Sequence, residues 1–266
     1  MKVFASDLDQ TLIYSRKWLA DLPQNHREID CVEVYNEKSA SFMLSKASKY
    51  LKDIHDTYTF VPVTTRTRSQ FERIHFKDVE PKLAIVANGG MILVDGQLDV
   101  DWETHISETL KSIRPLKEMQ SIVDHLRDLD NFKKFGYADD LFFYIVMHTN
   151  EYDVSAVEKY IKTFEKEDWG IHIHGRKIYF IPNCISKGHA LKYVKEKYGF
   201  SYIVSAGDSS LDLPLENESD FFYVPKHGGI ADEVSAEQRP PEEGLLSGLF
   251  IIENALSKLN AHTFSD

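Results

Sequence analysis

Residues 3–15 read VFASDLDQTLIYS, an apolar run that stops abruptly at two carboxylates, Asp7 and Asp9, with Thr11 just beyond. A short apolar run bounded by polar residues suits a strand buried on both faces of a parallel sheet. Along a strand residues i and i+2 point the same way, so Asp7 and Asp9 leave its carboxyl end aimed together. Two such carboxylates repel unless a proton or a cation lies between them, and a hard, oxygen-loving divalent cation such as Mg2+ answers that need. The plainer alternative is that both aspartates cap a following turn or helix. The rest of the chain decides between the two.

The same design recurs downstream. With Lys2–Ser6 as the first strand, Tyr58–Val63 is a second buried strand that delivers Thr64 in FVPVTTRT (60–67). Leu83–Ala87 is a third, running into Asn88-Gly89-Gly90, and Tyr202–Ser205 a fourth, running into Gly207-Asp208. Between the first two, Arg16–Asp30 reads as a loop or flap, with Cys31–Tyr35 and Phe42–Leu44 as a small hairpin. Ala47, Tyr50, Leu51 and Ile54 recur at helical spacing over Ser45–Asp56. Ser69–Phe76 suggests a helix, and Met91–Leu98 a hairpin turning at Asp95-Gly96. Gly188–Tyr198 fits a helix before the fourth strand. Phe221–Val224 reads as a further strand, and Leu245–Leu259 as a closing helix after the break at Pro240-Pro241.

Spacing then sets the domain organisation. Thr64 and Lys187 are separated by 123 residues, whereas a crossover between parallel strands requires only about a dozen. The excess reads as an inserted unit over residues 99–182, flanked by core segments 1–98 and 183–266. Its pattern is helix (Ser107–Leu129), strand (Phe132–Ala138), strand (Leu141–His148), helix (Val154–Glu167), strand (Gly170–His174), strand (Lys177–Ile181). Helix-strand-strand twice over implies an open antiparallel sheet with helices on one face. Within it Asp139-Asp140 reads as a hairpin turn, Phe142, Phe143, Tyr144 and Trp169 as core, and His172 and His174 as solvated strand residues.

Four short motifs in order make the chain resemble the haloacid dehalogenase-like (HAD) phosphohydrolases. DLDQT (7–11) is similar to that family's Asp-x-Asp-x-Thr motif, Thr64 to its hydroxyl motif, Lys187 in ISKGHAL to its lysine motif, and GDSSLD (207–212) to its acidic motif. The resemblance implies a doubly wound, mostly parallel α/β core with an inserted α+β cap, similar to the type IIB cap of Cof-like relatives. That group includes sucrose-phosphate and mannosylglycerate-phosphate phosphatases. It implies Asp7 as nucleophile and Asp9 as general acid and base, with Thr64 and Lys187 on the phosphoryl group. Mg2+ would be held by Asp7, the Asp9 carbonyl and Asp208, with Asp212 at second remove. The family's usual Gly-Arg after the motif threonine is here Thr65-Arg66, leaving Thr65 a second candidate for the phosphate contact and Arg66 either a phosphate or sugar contact or a surface ion pair. Asn88 and Gly89 resemble a substrate-side loop of such relatives, and an ordinary hairpin or turn explains them equally well. The implied activity is Mg2+-dependent hydrolysis of a small phosphorylated sugar or polyol. A phosphotransferase or sugar-phosphate mutase would use the same core, and a silent sugar-phosphate sensor would not need Asp9.

Composition narrows the classes further. Asp plus Glu (42) exceed Lys plus Arg (31) among the 266 residues, with no basic block, which argues against a nucleic-acid partner. Asp7 and Asp9 interrupt any leader-like apolar run, and no stretch approaches the roughly 20 apolar residues of a membrane span, so a cytoplasmic enzyme is expected. Cys31 and Cys184 lack metal-ligand spacing and read as buried, unreactive thiols. Nothing in the pattern sets an oligomeric state.

Overall fold

The chain opens with β1 (Lys2–Ser6) and the two-residue β2 (Tyr14–Ser15), followed by a hairpin of β3 (Ile29–Tyr35) and β4 (Lys38–Leu44), helix α1 (Ser45–Thr57) and β5 (Thr59–Pro62). A single turn, α2 (Arg68–Phe71), leads to β6 (Leu83–Val86), β7 (Met91–Val94) and β8 (Gln97–Leu98). The computed structural model describes residues 1–20, 22–26, 28–151 and 153–262. It divides into two compact units, Met1–Leu98 with Lys187–Asp266, and Asp99–Ser186.

The second unit contains α3 (Val100–Leu110), α4 (Leu116–Ile122), β9 (Phe132–Ala138), β10 (Phe142–Met147), α5 (Ser155–Glu158), α6 (Ile161–Glu165), β11 (Trp169–His174) and β12 (Lys177–Pro182). The first unit then resumes with α7 (Lys187–Tyr198), β13 (Tyr202–Ala206), α8 (Leu213–Glu216), β14 (Phe221–Tyr223) and α9 (Gly244–Ala261).

In the first unit the principal sheet has the order β14-β13-β1-β5, every pairing parallel. Its runs are largely apolar because both faces are covered. Phe4, Phe60 and Val204 join Leu51 and Ile54 of α1 and Ile252 and Ala255 of α9 in one core cluster. Val3, Val61 and Ile203, which alternate with them and so point the other way, are equally buried. Two smaller sheets, β2-β4-β3 and β6-β7-β8, flank this core. A parallel bridge from Val63 to Ile85 continues the pairing from the end of β5 to β6.

The second unit is built on an antiparallel sheet, β11-β12-β10-β9. One face is closed by aromatics: Phe143 and Phe180 stack at 4.7 Å and 7°, and Phe164 of α6 lies 5.2 Å from Phe180. Trp169 is buried beside Phe143, whereas Tyr144, alternating to the opposite face, is half-buried. The β9–β10 connection turns through Asp139 and Asp140, both left-handed (φ 47° and 59°). Short polar side chains tolerate that region best after glycine.

Several expectations change. The helix expected over Ser107–Leu129 starts earlier, at Val100, ends at Leu110, and is followed by a second helix only from Leu116, after Pro115, which disfavours the α conformation at Arg114. The helix expected over Val154–Glu167 is two single turns, α5 and α6. The one expected over Ser69–Phe76 is only α2, capped by Thr67 and Gln70 in a reciprocal box. Neither cysteine is fully buried: Cys31 is exposed on β3, an edge strand, and Cys184, after β12, is half-buried.

Candidate active site

The register of the parallel sheet creates the site. Ser6 lies level with Ala206 on one side and with Pro62 on the other, so Asp7, Gly207-Asp208 and Val63-Thr64 leave the sheet side by side. Backbone bonds hold these exits together: Asp7 N–H donates to the Ala206 carbonyl (2.9 Å) and Val63 N–H to that of Ser6 (2.7 Å). Thr64 N–H reaches the Ile85 carbonyl at 2.8 Å.

Into this junction α7 inserts Lys187, only 1% exposed. Its ammonium donates to Asp7 Oδ1 at 2.6 Å and to Asp212 Oδ1 at 2.5 Å. The other Asp212 oxygen accepts from Asp208 N–H (3.1 Å), Ser209 N–H (3.0 Å) and the Ser209 hydroxyl (2.8 Å). Asp212 thus anchors both the lysine and the 207–209 turn. Gly207 is required there, since a Cβ would lie 2.1 Å from that of Asp212. Asp7 Oδ2 accepts from the Thr11 hydroxyl at 3.2 Å.

Oxygens of Asp7, Asp208 and Asp212, all buried, lie within 4.8 Å of one another, the one such group of candidate metal ligands among the described residues. Burial, reinforced by Asp212, pushes Asp7 up to about 7 although Lys187 pulls it down. Burial, then Asp7 and Asp212, push Asp208 well above the usual carboxylate range. Lys187 moves the opposite way from an ordinary buried amine: burial would lower it, but Asp212 and Asp7 outweigh burial and raise it. With all three ionised, these carboxylates face one ammonium and leave two negative charges, which protons relieve here and a divalent cation would neutralise. The donor set is hard oxygen throughout, which suits Mg2+. Asp212, whose two oxygens already accept four donors, suits an outer contact.

Around this centre, Thr64 is buried at the end of β5, its hydroxyl accepting from Arg66 N–H at 3.1 Å, while Thr65 is half-buried. Asn88 and Gly89 are buried in a turn where Ala87, Asn88 and Gly89 are all left-handed (φ 49°, 57° and 96°). This turn is fastened to the Thr64–Arg66 loop, with Ala87 N–H donating to the Arg66 carbonyl (2.7 Å) and Asn88 N–H to that of Thr64 (2.9 Å). Left-handed alanine and asparagine cost on the order of 1 kcal/mol or more each and persist where the surroundings hold them.

Asp9 stands apart from the buried group, its side chain 50% exposed. Arg66 grips it with two hydrogen bonds, Nε to Oδ2 (2.7 Å) and Nη2 to Oδ1 (2.8 Å). The other edge of the same guanidinium holds Glu33, Nη1 to Oε1 at 2.9 Å and Nη2 to Oε2 at 3.0 Å. Glu33 escapes sequence reading. In a regular strand it would point away from buried Val32, but the β3–β4 register shifts on either side of Glu33 and both side chains are buried. The one available signal is a carboxylate inside the apolar run CVEVY (31–35).

Among solved structures, the sucrose-phosphatase of Synechocystis sp. PCC6803, in complex with sucrose and phosphate, is similar to this chain with a TM-score of 0.68 and 15% identity, covering 97% of each. A trehalose-6-phosphate phosphatase related protein matches at 0.59 and 13% identity, covering 98% of this chain and 100% of that one. A HAD-superfamily phosphatase of Bacteroides thetaiotaomicron matches at 0.58 and 14% identity, with coverage of 98% and 95%. At these identities the likeness is one of fold, a HAD-like α/β core with an inserted α+β cap. No curated protein sequence matches the chain significantly. Among the described residues no helix is long and apolar enough to cross a membrane. A family model described as sucrose-6F-phosphate phosphohydrolase matches residues 1–222, and on that match the chain belongs to this family of HAD-type phosphatases.

Proposed function

We propose that the chain hydrolyses the phosphomonoester of a small sugar through an aspartyl-phosphate on Asp7. The observation that carries this reading is the buried contact of Lys187 with Asp7 and Asp212 at the exits of β1 and β13. Phosphoryl transfer requires an in-line nucleophile, charge neutralisation and a proton for the leaving oxygen. Asp7 supplies the nucleophile: its oxygen bonds to phosphorus as the ester P–O bond breaks, splitting one hard step into two. Asp9 gives a proton to the departing alcohol, then takes one from the water that cleaves the acyl phosphate and restores Asp7. Lys187 offsets the charge of Asp7 and the transferring group, and the Thr64 hydroxyl donates to a phosphoryl oxygen.

Mg2+ held by Asp7, the Asp9 carbonyl and Asp208 would supply the positive charge that the three carboxylates lack and that a phosphoryl group demands. Asn88 and Gly89, buried in the turn fastened to the Thr64 loop, are proposed to touch the substrate, with Thr65 beside them. Sugar phosphates are the substrate class to test because of the family match, with sucrose 6F-phosphate first.

The test is phosphate release from a panel of phosphorylated sugars and polyols, with and without Mg2+, by wild type and Asp7→Asn. Turnover that needs Mg2+ and disappears in the variant is expected. Release of phosphate by Asp7→Asn at more than about a thousandth of the wild-type rate would refute the nucleophile, since covalent and acid–base groups of this kind are worth at least that together.

A further inference from the structure

We propose that Glu33 is a positioning residue for this reaction, acting through Arg66 to fix the carboxylate of Asp9. The proposal rests on Asp9 being the acid that protonates the leaving alcohol. Asp9 is half exposed and follows the end of β1, so packing alone does not define its rotamer. Arg66 holds it at two points, and an arginine side chain is itself a long, rotatable tether.

The tether is fixed at its far side. Glu33 is 5% exposed and takes two further guanidinium hydrogen bonds. Glu33 is in turn fixed by the Ser41 hydroxyl, donating to Oε2 at 2.7 Å, and by Arg73 Nε, donating to Oε1 at 3.1 Å. Burial would push Glu33 up, but hydrogen bonds from Arg66 and Ser41 prevail and hold it below its usual range. Arg66 thus lies between two carboxylates, one buried and static, the other facing outward. Side chains that orient a reacting group through a shared hydrogen bond commonly change activity 10–100-fold on removal, without touching substrate. The bulge that turns Glu33 inward lies in the hairpin after the first motif, so this hairpin contributes directly to the geometry of Asp9.

A leaving-group comparison tests the proposal. A sugar phosphate expels a poor leaving group that needs a proton, whereas p-nitrophenyl phosphate expels a stable phenolate that does not. The value of kcat/KM reports the steps through alcohol release, so the later hydrolysis of the acyl phosphate does not mask the contrast. For Glu33→Gln and Glu33→Ala, kcat/KM on sucrose 6F-phosphate should fall about 10–100-fold, while that on p-nitrophenyl phosphate falls no more than about threefold. Glu33→Gln, which keeps the shape and one acceptor oxygen, should recover part of the loss seen with Glu33→Ala and guards against a variant that fails to fold. Asp9→Ala, run in parallel, should show the same contrast more strongly. Equal losses on both substrates by the Glu33 variants, or no loss, overturn the positioning role if Asp9→Ala keeps the contrast. Absence of the contrast in Asp9→Ala removes the assignment of Asp9 as acid, and this proposal with it.

Discussion

Replacing Lys187 by methionine removes the ammonium while nearly preserving the buried stem. The structure sets the size of the effect. Lys187 is 1% exposed, and its partners Asp7 and Asp212 are 4% and 0% exposed, so water cannot take over the lost contacts. Removing one partner of a buried ion pair costs about 3–5 kcal/mol, because the charge left behind has no counterion. At about 2–4 °C per kcal/mol for a domain of this size, the melting temperature in chelator should fall by roughly 6–20 °C. The loss must also depend on pH, in a defined direction. Asp7 is pushed up to about 7 even with Lys187 present, and without it burial and Asp212 push Asp7 further. A carboxylate raised in the folded state binds more protons folded than unfolded, so stability falls as pH rises through the window above the unfolded value. The deficit of Lys187→Met should therefore be modest at pH 5, where protons replace the ammonium, and largest near pH 8. Calorimetric or fluorescence melting of both proteins with chelator at the two pH values measures it. A deficit below about 1 kcal/mol at pH 8, or one independent of pH, would show that Lys187 does not carry the charge balance of the site.

The same balance governs cation binding. Wild-type protein should gain more melting temperature from Mg2+ at pH 8 than at pH 5, since protons on Asp7 and Asp208 compete with the ion, and equal gains would count against these ligands. Geometry sets another expectation, because a Cβ on Gly188 would lie 2.4 Å from the backbone oxygen of Pro214, an atom that cannot yield as a side chain would. Gly188→Ala should displace the first turn of α7 with Lys187 and lower phosphate release about tenfold to a hundredfold while the circular dichroism spectrum stays native; unchanged turnover would refute the link.

How much of this was legible before coordinates depends on what each feature is made of. Asp7, Thr64 and Asp208 could be read because each ends an apolar run, and a parallel sheet collects such ends at one edge whatever the intervening chain does. Lys187 was legible only by its order among the motifs, since a lysine that is 1% exposed looks in sequence like any solvated one. The strands of the inserted unit are visible as short runs rich in apolar and aromatic residues, and Asp99 starts its first helix by accepting from Trp102 N–H at 3.1 Å. Its helices are legible in position but not in extent, because single turns such as α5 and α6 are too short to establish a period. Glu33 was hidden for a different reason. Its inward aim comes from a bulge, and a bulge is a property of pairing between strands that the period of one strand does not encode.

The buried charges also fix the point at which the first unit resumes after Asp99–Ser186. Asp7 follows β1, Asp212 follows β13 and Lys187 opens α7, and all three lie in the unit formed by Met1–Leu98 and Lys187–Asp266. The lysine is the first residue of that unit after the insert. Its position is set by hydrogen bonds of 2.6 and 2.5 Å to two buried anions, so it is anchored by charge within its own unit. Displacing it would leave Asp7 and Asp212 unpaired, at a cost comparable to a substantial share of a domain's total stability. The chain's re-entry at Lys187 is therefore pinned by the same electrostatics that shift Asp7. The Asp7–Lys187–Asp212 arrangement is thus held by contacts made within the unit of Met1–Leu98 and Lys187–Asp266.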